Sequence, residues 1–173
     1  MSEQDNILNF AYKIFDFPRS LTGNGVRKTL KEIKKIIPRL KIKSIKSNTK
    51  VFDWNIPLEW KVNDAYIIDP DNNKICEFKK NKLHLVGYSK PIKKIINKNA
   101  LFKRLHSLPK QPKAIPYITS YYKKDWGFCI SHNEKKKLKQ GKYKVFIDSK
   151  LFKGKMNYGE VILKGKLKKE VLL

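Results

Sequence analysis

The stretch Asp64-Ala65-Tyr66-Ile67-Ile68-Asp69-Pro70-Asp71-Asn72-Asn73-Lys74-Ile75-Cys76-Glu77-Phe78 decides how the chain is read. Apolar runs rich in isoleucine and aromatic side chains flank residues 70–73. Each of those four favours a turn, because proline fixes φ while Asp and Asn bond back to their own backbone. The combination predicts a β-hairpin. Downstream, Leu83-His84-Leu85-Val86 reads as another strand, and residues 91–107 as a short helical segment on Ile95, Ile96, Leu101 and Leu105. Pro109, Pro112 and Pro116 impose an extended connection. Ile118-Thr119-Ser120-Tyr121-Tyr122 and Trp126-Gly127-Phe128-Cys129-Ile130 then read as a strand pair, with a helical turn over residues 132–139. Three further strands are expected: Tyr143 to Asp148, Asn157 to Leu163, and Glu170-Val171-Leu172-Leu173.

Upstream of the hairpin the period changes. Ile7, Leu8, Ala11, Ile14 and Phe15 form a stripe on one helix face, which Phe17-Pro18 ends. A second helix carries Val26, Leu30, Ile33 and Ile37 on one side and Lys28, Lys31 and Lys35 on the other, with Thr22 or Asn24 as its cap and Pro38 as its stop. Leu40, Ile42 and Ile45, then Val51-Phe52-Asp53-Trp54, return to strand texture.

Composition excludes several classes. A chain of 173 residues with 40% hydrophobic residues can bury a core, so it is not a disordered basic tail. No apolar run approaches the ~18–20 residues of a membrane span. The acidic, polar start lacks the pattern of a secretory signal, so a cytoplasmic protein with reduced Cys76 and Cys129 is expected. The net charge of +25 sets 36 Lys and only four Arg, namely Arg19, Arg27, Arg39 and Arg104, against 15 Asp and Glu. Nucleic-acid recognition favours the planar fork of Arg, so the charge by itself implies only non-specific attraction to phosphate, whether it reflects solvated faces or a functional basic surface.

No motif marks a reaction centre. His84, His106 and His132 lie in three unrelated contexts, and His84 reads as a packed, hydrogen-bonded side chain of an apolar strand. Cys129 beside Ser131-His132 is not a nucleophile turn, and no CxxC or HExxH pair offers zinc its ligands. The turn Thr22-Gly23-Asn24-Gly25 lacks the pattern of a phosphate loop and reads as a helix entry. Trp54, Trp60, Tyr66, Tyr117, Tyr121, Tyr122 and Trp126 suit either a core or a stacking surface for single strands, the core being the commoner use.

Several segments together resemble one family. They are Phe17-Pro18-Arg19-Ser20-Leu21-Thr22-Gly23-Asn24-Gly25-Val26-Arg27, Val51-Phe52-Asp53-Trp54 with Pro57 and Trp60, Leu105-His106 with Leu108-Pro109, Pro116-Tyr117 with Thr119-Ser120-Tyr121-Tyr122, Trp126-Gly127-Phe128-Cys129, Ser131-His132-Asn133 and Tyr158-Gly159-Glu160. In order and over nearly the whole chain, they are similar to uncharacterised bacterial proteins built on a zinc aminopeptidase-like α/β domain. The chain departs from them at Arg19, where the loop after the proline is shorter, and in its lysine load.

The resemblance implies an α/β fragment. Residues 1–50 begin the aminopeptidase-like domain, residues 51–135 form an inserted small β-barrel or jelly-roll-like domain, and residues 141–173 return to the aminopeptidase-like sheet, with a winged helix at the far end of the intact protein. The family's metal ligands follow the strand that here reads Glu170-Val171-Leu172-Leu173, so no metal ligand or catalytic residue is carried onto this chain. Zinc is implied for the intact protein only, where it would assist attack of water on a peptide, an amino-acid-like group or a sugar amide. A second chain or a downstream half carrying the metal site is the implied partner, and no membrane is. Tyr121, Tyr122 and Trp126 are the residues expected to touch substrate. The alternative is a stand-alone lysine-rich module that binds nucleic acid or another polyanion.

Overall fold

The computed structural model describes residues 3–165. Among them the chain is a mixed α/β fold with four helices and several small sheets. The hairpin stretch supplies its centre. Strand β4 (Glu59–Ile68) pairs with β5 (Lys74–Ile75) across the turn, where the Asp69 carboxylate accepts the backbone N–H groups of Asp71 and Asn73 at 2.9 and 2.8 Å. The four-stranded antiparallel sheet runs β5-β4-β9-β6, with β6 at Ile92–Asn97 and β9 at Lys142–Phe152. Around it lie α1 (Glu3–Phe15), α2 (Asn24–Ile36), β1 (Lys41–Lys46), β2 (Lys50–Val51), β3 (Trp54–Asn55), α3 (Lys98–Phe102), β7 (Leu105–His106), β8 (Phe128–Cys129), α4 (His132–Lys137) and β10 (Lys155–Glu160).

Strict alternation on β9 builds the core. Tyr143, Val145, Ile147 and Ser149 are buried while Lys142, Lys144, Asp148 and Lys150 face water. Across from them Ala65 and Ile67 of β4 point inward, and Phe78, Leu85, Leu101, Leu105, Phe128 and Ile130 close the other side. Between Val62 and Asp64 the β4–β9 register slips by one residue, Asn63 being extra, and its side-chain amide donates to Asp148 at 3.0 Å. That bulge lets Trp60 and Val62 stay on the core side.

Three local expectations change. Residues 92–97 form a strand, because Ile92 to Asn97 find a full register against β9, and helix begins only where the Asn97 side chain accepts the N–H of Ala100 at 2.9 Å. Residues 82–84 form a 3₁₀ turn instead of a strand. The segments around residues 118–122 and 126–130 do not pair with each other: β8 lies parallel to β7, and Thr119 bridges Gly87. The expected strand at residues 170–173 lies outside the described residues.

The two N-terminal helices occur as the periodicity implies. A second, two-stranded sheet of β1 and β10 adjoins α2. Most of the stripe of α1 stays open: Ile7, Leu8, Ala11 and Phe15 face water, Phe15 being 72% exposed, while Ile14 is half-buried. No helix of the described residues is long and apolar enough to cross a membrane.

Candidate functional site: an aromatic ladder beneath a glycine loop

The loop from Phe17 to Gly25 crosses the start of β4, and its sequence explains why it lies so close. Gly23 has φ +103°, and a Cβ there would stand 2.9 Å from the Trp60 carbonyl. A Cβ on Gly25 would meet the Pro18 carbonyl oxygen at 2.2 Å, so only glycine lets the loop fold back on the helix entry. Neither Thr22 nor Asn24 caps α2 by its side chain. Asn24 instead accepts the Arg27 guanidinium, at 2.7 and 3.1 Å. Thr22, fully buried, shares a hydrogen bond of 2.6 Å with the Tyr88 hydroxyl and accepts the Trp60 N–H at 3.3 Å.

From Thr22 a ladder of rings climbs to the surface. Trp60 and Tyr88 stack at 5.7 Å with 14° between planes, Tyr88 meets Tyr121 edge-on at 5.9 Å, and Tyr121 lies 4.2 Å from Tyr122. Exposure rises from 3% at Tyr88 to 73% at Tyr122. Backbone bonds hold the upper rungs: Gly87 N–H donates to the Ile118 carbonyl at 2.8 Å, and Ser120 N–H to the Gly87 carbonyl at 2.9 Å. Trp60 is fixed by its indole N–H, which donates to the Ser89 carbonyl at 3.0 Å. Burial pushes the Tyr88 phenol above its ordinary pKa, and Tyr122 is raised chiefly by its hydrogen bond with Tyr121.

Two adjoining clefts of about 460 and 450 Å³ open beside this ladder, sharing Pro18, Ser20, Trp60 and Phe78. Tyr117, Phe17 and Leu83 line the first, and Arg27 with Glu59 the second. Glu59 accepts Arg27 at 2.5 and 3.1 Å and the Lys155 N–H at 3.2 Å, so it ties α2, β4 and β10 together. The hydrogen bond from Arg27 holds the Glu59 carboxyl below its usual range.

The structure brings Tyr121 and Tyr122 together and gives Trp126 other company. Its ring lies under the Arg104 guanidinium at 5.2 Å, and Arg104 forms an ion pair with Asp125. Sequence reading missed Thr22, Tyr88 and Ser89 as parts of the site. Their only signal was membership of apolar or turn-like segments, since the contacts that join them span 29 to 66 residues.

The described residues do not fit a zinc ion. No three His, Cys, Asp or Glu side chains gather among them where a metal could sit. Cys76 and Cys129 are buried free thiols, both raised by desolvation, Cys129 to about 12, so neither supplies a thiolate. His84 donates through Nδ1 to the Cys129 carbonyl at 2.8 Å, as expected of a hydrogen-bonded packing residue. His132 Nδ1 is engaged with the Ser107 hydroxyl at 3.1 Å.

A mixed α/β domain with an aromatic ladder beside two clefts is the class that fold and site define. Residues 59–150 match a domain of unknown function (DUF2172), and the chain belongs to that family. It is 45% identical over 167 residues to a Clostridium acetobutylicum protein provisionally named as a polysaccharide biosynthesis protein with an aminopeptidase-like domain, covering 96% of this chain and 38% of that protein. It also superposes, with a TM-score of 0.86 and 44% identity, on the crystal structure of a provisionally named peptidase from the same organism, covering 94% of this chain and 38% of that one. The chain thus spans about 38% of the length of the relatives it matches.

Proposed function

We propose that this chain is the substrate-positioning, non-hydrolytic portion of an aminopeptidase-like protein whose zinc and catalytic carboxylates reside in another portion, downstream or on a second chain. The observation that carries this reading is convergence. The segments at 17–27, 57–60 and 116–122, far apart in sequence, meet at the Thr22–Tyr88–Tyr121–Tyr122 ladder, and Trp60, stacked on Tyr88, lines both neighbouring clefts. The first cleft sets the rings of Phe17, Trp60 and Phe78 beside Asp16, Arg19 and Lys82, a lining that suits a substrate with a ring-bearing part and a charged end. In the intact protein that substrate is a peptide, an amino-acid-like group or a sugar amide with a free amino end. Residues 1–50 belong to the aminopeptidase-like part and the inserted β-rich unit begins at about residue 51. The boundary placed at about residue 141 falls at the start of β9, whose pairing with β4 and β6 keeps that strand in the central sheet.

The test is steady-state kinetics on the full-length C. acetobutylicum relative with its counterparts of Tyr121 and Tyr122 changed to Ala. KM for an aminopeptidase substrate should rise about tenfold while kcat falls less than about threefold, the pattern of lost binding. An unchanged KM would remove the ladder from substrate binding.

A second reading rests on the outer face of the four-stranded sheet. There Tyr66 and Phe146 pack at 5.0 Å, Lys74 sits 4.4 Å over the Tyr66 ring, and Lys93, Lys144 and Lys150 stand exposed around them. Such a face attracts polyanions, yet the Tyr66 ring already faces Phe146 on one side and Lys74 on another, which leaves it poorly placed to stack bases.

A further inference from the structure

The two clefts beside the aromatic ladder hold their arginines in opposite states. In the second, Glu59 occupies the Arg27 fork at 2.5 and 3.1 Å and Asn24 takes further donors, so that guanidinium is committed to the fold. In the first, Arg19 and Lys82 line the wall, and neither forms an ion pair among the described residues. Local bonds place both cations without satisfying them. Arg19 donates through one terminal nitrogen to the Ile14 carbonyl, and the rest of its N–H fork stays available. The half-buried Lys82 ammonium donates to the carbonyls of Phe78 and Lys79 at 3.1 and 3.0 Å and lies 5.0 Å over the Phe78 ring, which leaves it an N–H to give. The Asn81 side-chain oxygen accepts the Leu83 N–H at 2.9 Å, so its amide nitrogen is a further donor on this wall. Lys80 also lines the cleft but is drawn to Glu77 at 2.6 Å. Asp16 is the one carboxylate among the described lining residues.

We infer that the first cleft is a carboxylate subsite, which takes a ring-bearing ligand with its ring among Phe17, Trp60 and Phe78 and its carboxylate on Arg19 and Lys82. The inference rests on the functional reading above and narrows its substrate to one that carries a free carboxylate as well as an amino end. An arginine fork matches the two oxygens of a carboxylate, and a cation set against buried ring surface is screened less than the lysines of the open faces. The volume of about 460 Å³ admits a group of one ring and a short acid chain. Asp16 sets the limit on charge: it repels a phosphate dianion about twice as strongly as a single carboxylate, so the smaller charge is the better fit.

Titration of this chain with 3-phenylpropionate and with its uncharged amide, followed by NMR at the Trp60 indole N–H in ~0.15 M salt, tests it. The carboxylate should bind at least about tenfold more tightly than the amide. R19Q with K82Q should bring the two probes within about twofold of each other, while the affinity for the amide and the central-sheet resonances stay as they were, which shows that the variant still folds. K93Q with K144Q removes as much charge from the outer face of the central sheet and should keep the preference. Equal affinity for the two probes, or no binding of either up to about 10 mM, overturns the inference. So does a preference that survives R19Q with K82Q, or one that K93Q with K144Q removes equally, because net charge would then be its source. Tighter binding of phenyl phosphate than of the carboxylate overturns the choice of anion. A carboxylate preference here beside a full-length relative without aminopeptidase turnover would uphold the subsite and defeat the functional reading, and turnover without the preference would do the reverse.

Discussion

Glu59 has only 9% of its side chain exposed and is satisfied by Arg27 and the Lys155 N–H. Removing its cation leaves a buried charge unpaired, so Arg27→Met should cost about 2–3 kcal/mol, less than a fully buried pair because Arg27 is a third exposed. The sign with pH follows from the lowered carboxyl. Stability from Glu59 is present above its ordinary, unfolded pKa and is lost as pH falls through the depressed folded value. Urea titrations between about pH 6 and 2 should show that loss in the wild type and a smaller one in Glu59→Gln. Gly25→Ala should displace the Pro18 carbonyl and lower Tm without disturbing the central sheet. At this scale Tyr121 and Tyr122 were legible as candidates because they are adjacent aromatics in a family-like segment. Thr22 and Tyr88 were not, because their hydrogen bond joins positions 66 residues apart.

Elements show which signals were local. The 70–73 turn, β9 and both N-terminal helices follow from composition and period alone, and each occurs as expected. Residues 92–97 did not, since Ile95 and Ile96 fit a helix equally well until β9 offers hydrogen-bond partners that a propensity reading cannot see. Helices α1 and α3 make the energetic contrast. Leu101 of α3 is fully buried, and Leu101→Ala should cost about 2–5 kcal/mol. Phe15→Ser on α1 should change the stability of this chain by less than about 0.5 kcal/mol, because the ring is already in water. Thermal or urea unfolding of the two variants checks both.

For the whole molecule, charge and fold point in different directions, and the Arg shortage decides between them. Attraction of a +25 chain to nucleic acid should fade by ~0.15 M salt and show no sequence preference, as a log–log salt titration would report. Legible in the sequence were the class, mixed α and β, and the likeness to aminopeptidase-like proteins. The convergence of residues 17–27 with 116–122 was not, because it depends on the bridge between Gly87 and Thr119. The most direct measurement of the central claim is aminopeptidase turnover by two samples supplied with zinc: this chain alone, and the C. acetobutylicum relative with its matched 38% replaced by this chain. No turnover is expected from the chain and, from the chimaera, turnover within about tenfold of the relative's own. Hydrolysis by the chain alone, or a folded chimaera that fails to bind substrate, would contradict it.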